Sequence, residues 1–128
     1  MTHAIHSCGI LDGEQIIYGG EAAGYIVRLP DRRVVYCAGD TNVFTDMALI
    51  GELYKPDVAF LPIGGHFTMG PREAALAVQL LGVQQVIPIH YGTFPILAGT
   101  PDELRAALEA RDLGDVQVHA LEPGVPVD

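Results

Sequence analysis

The chain has 128 residues, with seven Lys and Arg against sixteen Asp and Glu, which gives a net charge of −9. The length predicts one domain over 1–128, and the acidity argues against a nucleic-acid partner, because phosphate contacts need clustered Lys and Arg. Apolar residues make up 49% of the chain. Counted with Gly and without Tyr they make up about 57%, above the roughly 45–50% of ordinary domains, which predicts either a sheet buried on both faces or a sheet that lacks part of its cover.

The first third of the chain is predicted to form strands. Residues 2–8 are predicted as a short strand, and residues 9–20, which carry four glycines, as a loop. Two further strands over 24–29 and 33–38 flank a turn at Pro30-Asp31-Arg32, which predicts a hairpin.

The rest of the chain alternates between helices and strands. Thr45 is a candidate N-cap for the first helix, and Thr100-Pro101-Asp102-Glu103 is a capping box for the last. The predicted elements are helices over 46–54, 71–81 and 101–111, strands over 58–63, 86–90 and 116–121, and a tail over 122–128. Together with the strand over 33–38, this order predicts a layered α/β fold.

Two features bear on the compartment. No apolar run reaches membrane-spanning length, and the residues after Met1 lack the basic and apolar regions of a signal peptide. We therefore expect a cytoplasmic protein with no membrane partner. Cys8 and Cys37 are then expected to be free thiols.

Metal-ligating residue types follow three of the predicted strands. His6 is expected to end the first strand, Asp40 follows the hairpin, and His90 ends a central strand. In α/β sheets, functional groups gather beyond the strand ends, and two imidazoles with a carboxylate suit Zn²⁺, Mn²⁺ or Fe²⁺. Each residue also has a structural interpretation, as a hydrogen-bonded histidine or a turn aspartate.

The segment at 64–70 is a glycine-rich loop expected to approach the same site. Its predicted substrate contacts are His66, Thr68 and Met69. His3 is expected to face away from His6, because residues an odd number apart in a strand point to opposite sides. His119 is expected to lie at the surface in the last strand, and the cysteines to be small buried hydrophobes rather than metal ligands.

At these residues the sequence resembles the C-terminal half of the metallo-β-lactamase-fold superfamily, and within it a widespread group of prokaryotic metal-dependent hydrolases. The matching segments are HS (6–7), VYCAGDT (35–41), LIGELYKPD (49–57), LPIGG (61–65), FTMGP (67–71) and IPIHYGTF (87–94). They occur in the order of the family and run through most of the chain.

The resemblance implies half of an αββα sandwich with a two-metal site at one edge of the sheets. In that scheme His6 ligates one metal, His90 ligates the other and Asp40 bridges both, so that Asp40 and His90 are the catalytic candidates. The ions, zinc in the first place, would activate a water that attacks a carbonyl or phosphoryl centre of a small-molecule substrate.

One departure from the family pattern limits this expectation. The first half of the family carries a His-x-His-x-Asp-His motif that supplies the remaining ligands, and this motif does not occur here. Met1 stands almost immediately before His6, so the chain offers about half of a complete site.

Three hypotheses follow. The chain could be the C-terminal part of a hydrolase whose N-terminal half is a separate polypeptide. It could instead be a catalytically incompetent half-domain that self-associates or binds a partner through its open sheet, as in a homo-oligomer. The third hypothesis is a generic small α/β domain in which the two histidines and the aspartate are structural.

Overall fold

A computed structural model describes residues 1–125 as a six-stranded sheet with three helices and a separate two-stranded hairpin. The strands are β1 (Thr2–His3), β2 (Gly9–Asp12), β3 (Gln15–Tyr18), β4 (Ala23–Arg28), β5 (Val34–Cys37), β6 (Val58–Pro62), β7 (Gln85–Ile89) and β8 (Gln117–Val118). The helices are α1 (Met47–Tyr54), α2 (Pro71–Leu81) and α3 (Pro101–Glu109). The predicted α/β fold class is confirmed.

The large sheet has the order β1-β4-β5-β6-β7-β8. Strands β1, β4 and β5 pair antiparallel, whereas β5 to β8 pair parallel. The helices connect the parallel strands, because a crossover between parallel neighbours must run over one face of the sheet. The predicted hairpin of β4 and β5 and the helix–strand alternation after it are confirmed.

The core lies between this sheet and the three helices. Residues at alternate positions of the central strands point into it and are buried, among them Tyr36 on β5, Ala59 and Leu61 on β6 and Val86 on β7. Helix α2 contributes its predicted stripe, with Ala74, Ala77, Val78 and Leu81 in the core.

The opposite face of the sheet is apolar but not fully buried in the described residues. Register places Tyr25, Cys37, Phe60 and Ile87 in one row across four strands. All four are partly or largely exposed. Among residues 1–125, no helix is long and apolar enough to cross a membrane.

Two predicted elements at the start of the chain are wrong. The expected loop over 9–20 contains a β-hairpin, in which β2 and β3 pair through a two-residue turn at Gly13, whose φ is 62°. The expected strand over 2–8 ends at His3. Beyond it, the backbone of Ile5 bonds to Thr41 and Asn42 instead of continuing along β4.

Several element ends also differ from the prediction. The last strand covers only Gln117–Val118, so that His119 lies just beyond it. Helix α3 ends at Glu109, and α1 has Asp46 rather than Thr45 as its N-cap residue. Of the predicted tail, residues 122–125 form no helix or strand, and residues 126–128 lie outside the described residues.

The capping box of α3 gives a test of local stability. The Thr100 side chain accepts a hydrogen bond from the Glu103 backbone N–H at 3.2 Å, and the Glu103 carboxylate accepts one from the Thr100 backbone N–H at 2.9 Å. We expect Thr100→Ala to lower the free energy of unfolding by about 1 kcal/mol. Thr45→Ala is the matched control, since Thr45 caps nothing, and urea denaturation should show a smaller loss. Equal losses would contradict this assignment.

Candidate functional site

Three irregular segments meet at the buried side chain of Thr41. Its hydroxyl accepts a hydrogen bond from the Ile5 backbone N–H at 2.8 Å and donates one to the Asn42 carbonyl oxygen at 2.8 Å. Its own carbonyl oxygen accepts from the Met69 backbone N–H at 3.1 Å. Thr41 thus joins the segment that carries His6, the loop of Asp40 and the loop after β6.

Asp40 and His90 come together at the ends of β5 and β7. Asp40 Oδ2 lies 3.6 Å from His90 Nε2, and both side chains are partly exposed. Two nitrogen or oxygen ligands of one tetrahedral ion lie about 3.4 Å apart, because each is about 2.0–2.2 Å from the metal. His90 Nδ1, on the other side of the ring, is buried and has no hydrogen-bond partner among residues 1–125. The pair therefore fits two ligands of a divalent metal.

Backbone geometry sets the position of His90. Strand β7 ends at Ile89, and His90 adopts a left-handed conformation with φ of 54°, which turns the chain away from the strand direction. The adjacent loop starts at Gly64, where an added Cβ would collide with the His90 carbonyl oxygen. A glycine at this position therefore lets the two loops pack against each other.

His6 lies in the irregular segment after β1 and not at a strand end. Its Nδ1 is 2.8 Å from the Ser7 carbonyl oxygen, and since a carbonyl can only accept, Nδ1 carries the proton and Nε2 keeps a lone pair for a metal. Within residues 1–125, however, no group of three or more His, Cys, Asp or Glu side chains could hold a metal ion. The three-residue set with His6 stays a prediction.

The loop after β6 exposes one residue that sequence reasoning missed. Thr68 and Met69 are buried, and Met69 belongs to the core, so their predicted substrate contacts lack an exposed side chain. His66 is partly exposed and contacts Phe67 edge-to-face, with ring centroids 3.9 Å apart. Phe67 itself is 73% exposed. The three glycines of the loop drew attention to His66, whereas nothing in the sequence distinguished Phe67 from a core residue.

The remaining candidates have other environments. Cys8 and Cys37 are free thiols, as predicted, and burial raises the pKa of the Cys37 thiol, which disfavours the thiolate that a metal would need. His119 contacts Gln85 at 3.2 Å. His3 packs against Phe44, with ring centroids 5.5 Å apart.

Comparison with known sequences assigns residues 1–91 to the family described as "Beta-lactamase superfamily domain". A relative from Solibacter usitatus, named "UPF0173 metal-dependent hydrolase", is 61% identical over 127 residues, which are 99% of this chain and 54% of the relative. A relative of the same name from Chloroflexus aurantiacus is 52% identical, covering 99% of this chain and 52% of the relative. The chain thus spans about half the length of these relatives.

Comparison with solved structures also matches this chain to about half of a longer protein. Igni18, described as a novel metallo hydrolase from the archaeon Ignicoccus hospitalis, is similar with a TM-score of 0.78 and 42% sequence identity. The match covers 97% of this chain and 49% of that protein. The similarity supports the observed fold over nearly the whole chain.

The Thr41 hydroxyl can be tested by two substitutions. Thr41→Val keeps the shape of the side chain but leaves the Ile5 N–H without an acceptor, so the free energy of unfolding should fall by about 1–3 kcal/mol. Thr41→Ser keeps the hydroxyl and should lose less. Urea denaturation measures both, and a valine variant as stable as the serine variant would show that the hydroxyl is not what stabilises the three segments.

Proposed function

The chain belongs to the beta-lactamase superfamily domain family, and from this premise we propose that it is part of a metal-dependent hydrolase. The observation that carries the proposal is the 3.6 Å separation of Asp40 Oδ2 and His90 Nε2. The names of the relatives from Solibacter usitatus and Chloroflexus aurantiacus, which include "metal-dependent hydrolase", support the same reaction class.

Each candidate site residue of this chain has a proposed part in the reaction. Asp40 and His90 would hold metal, with His6 as a further ligand through its unprotonated Nε2. Bound divalent ions, zinc in the first place, would supply a hydroxide near neutral pH and positive charge for the developing oxyanion. That hydroxide would be the nucleophile for a carbonyl or phosphoryl centre, whose bond to the leaving group would break, and the leaving group would take up a proton. His66, which is partly exposed, would contact the substrate.

Metal binding tests the proposal directly. We expect the chain to bind Zn²⁺, and Asp40→Ala or His90→Ala to weaken binding by about tenfold or more, since each removes a ligand. Competition with a chromophoric chelator measures the affinity. His119→Ala is the matched control, because it removes an imidazole bonded to Gln85 and should leave the affinity unchanged.

Two results would contradict the proposal. One is the absence of Zn²⁺, Mn²⁺ or Fe²⁺ binding by the folded chain. The other is a wild-type affinity in both the Asp40→Ala and the His90→Ala variants.

The exposed sheet face supports a second part of the proposal. Beside the row from Tyr25 to Ile87, a second row places Val27, Val35 and Val58 on the same face. A cavity of about 480 Å³ continues this face to the site, with Phe60, Ile87, Ile89 and His90 among its lining residues. An apolar surface of this extent is typical of an interface.

We propose that the face is covered by the other half of the same domain, which would also supply the remaining metal ligands. The relatives contain about as much chain again as the part matched here, which is enough for a second layer. The alternative is a non-catalytic half-domain that self-associates through this face. Both place apolar side chains against the row that includes Tyr25.

Complementation distinguishes these alternatives. The added polypeptide is the portion of the Solibacter usitatus relative that lies outside the match. It should form a complex with this chain, and the complex should bind about two zinc ions. Tyr25→Lys should weaken the complex, because it places a charge on the apolar face. The control is Leu53→Lys on α1, which is 68% exposed and lies away from this face.

The two alternatives predict different masses in sedimentation. A dimer that persists in the presence of the added polypeptide would favour the self-associating module. A monomer that binds neither itself nor the added polypeptide would contradict both.

A further inference from the structure

The segments around the site contain no Lys or Arg side chain. Residues 4–20, 38–46, 63–70 and 90–100 lack Lys and Arg altogether. The cations of the chain are elsewhere, at Arg28, Arg32, Arg33, Lys55, Arg72, Arg105 and Arg111. Of these, Arg72 stands in the first turn of α2 and lines the groove between α2 and α3 with Arg111. Phosphate and carboxylate groups are usually bound by Arg or Lys, so these segments are poorly suited to an anionic substrate.

The loop after β6 presents an aromatic ring to solvent. Phe67 has φ of 64°, a left-handed conformation that is costly for a bulky residue. A hydrogen bond from the Gly65 N–H to the Met69 carbonyl oxygen, 3.0 Å long, closes the loop. The Met69 N–H donates a hydrogen bond to the Thr41 carbonyl oxygen, which joins this loop to the loop of Asp40. The ring is therefore held exposed by a constrained backbone.

The loop after His90 also exposes apolar side chains, and here there are two. The Leu97 N–H donates to the Phe94 carbonyl oxygen at 2.9 Å, and the Gly92 N–H donates to Leu97 at 3.1 Å. Leu97 is buried, whereas Phe94 and Ile96 are more than half exposed. The turn thus anchors on one apolar side chain and leaves two others at the surface.

The two loops follow neighbouring strands and are joined to each other. The Ile63 N–H donates to the Ile89 carbonyl oxygen at 3.0 Å, and the Gly99 N–H donates to the Gly64 carbonyl oxygen at 3.5 Å. Their exposed side chains therefore belong to the same edge as the Asp40–His90 pair. We call Phe67, Phe94 and Ile96 the apolar rim.

We propose that the apolar rim binds an uncharged aromatic or branched aliphatic group of the substrate, next to the bond that is hydrolysed. This rests on the proposed hydrolase function and narrows its substrates to neutral esters, amides or related acyl compounds. Phosphodiesters are disfavoured by the same observations, since the segments offer apolar contact and, apart from the proposed metal ions, no Lys or Arg cation.

Ligand binding tests the rim without turnover. The probes are N-benzylacetamide, N-methylacetamide and diphenyl phosphate, titrated into the full chain with Zn²⁺ and followed by the aromatic NMR signals. N-Benzylacetamide should shift the signals of Phe67 and Phe94 and bind about tenfold more tightly than N-methylacetamide, because only its ring gains apolar contact. Diphenyl phosphate should bind more weakly than N-benzylacetamide.

The variants keep the loop backbone intact. Phe67→Asn is suited to the left-handed conformation and should weaken N-benzylacetamide binding about fivefold, whereas Phe67→Leu should stay closer to the wild type. Leu53→Asn, on an exposed helix surface, should have no effect. Asp40→Ala should keep probe binding even where it loses zinc, so that a failure of the hydrolase proposal and a failure of the rim proposal give different results.

Three outcomes would overturn the rim proposal. The first is tighter binding of diphenyl phosphate than of N-benzylacetamide. The second is a Phe67→Asn variant that binds N-benzylacetamide like the wild type. The third is a shift of the Phe67 signals with protein concentration alone, which would assign the rim to contacts between copies of the chain.

Discussion

The position of the candidate site depends on the hydrogen bonds of one buried residue, Thr41. The segment after β1, the loop after β5 and the loop after β6 have no regular structure, so single hydrogen bonds rather than strand pairing relate them. The Thr41 hydroxyl and carbonyl connect all three. The contact of Gly64 with the His90 backbone adds the loop after β7. Four segments that are distant in sequence therefore share one geometry, as a site with ligands from several strand ends needs.

The candidate site also lies at the boundary between the two faces of the sheet. On one face, the helices complete a close-packed core. On the other, apolar rows remain partly exposed, and the cavity on that face includes His90 in its lining. Any layer that covers the exposed face would therefore also reduce the access of water to His90. Burial of the sheet and formation of a water-excluding site would then be one event, which strengthens the electrostatic interactions inside it.

Much of this arrangement could be predicted from sequence where a local signal agrees with the tertiary structure. Helix α2 has its predicted ends because Pro71 begins it and Gly82 ends it in a left-handed conformation. The hairpin of β2 and β3 was missed because its glycines outweighed the β-forming residues between them. The strand-end position of His6 was wrong because a side chain 36 residues away, Thr41, takes the Ile5 N–H that a longer strand would use. The exposure of Phe67 depends on its left-handed backbone conformation, which cannot be predicted from the amino-acid composition of the loop.

The core has a further consequence for how such a domain can be divided. From β5 onward, each strand pairs with the next one in the chain, and the helices between them close the core on one face. This unit can collapse using contacts between sequence neighbours, without waiting for a second layer. Folding of this layer and its assembly with another are then separable in time, so a gene encoding both layers could be split between them and this layer could still fold before the two meet.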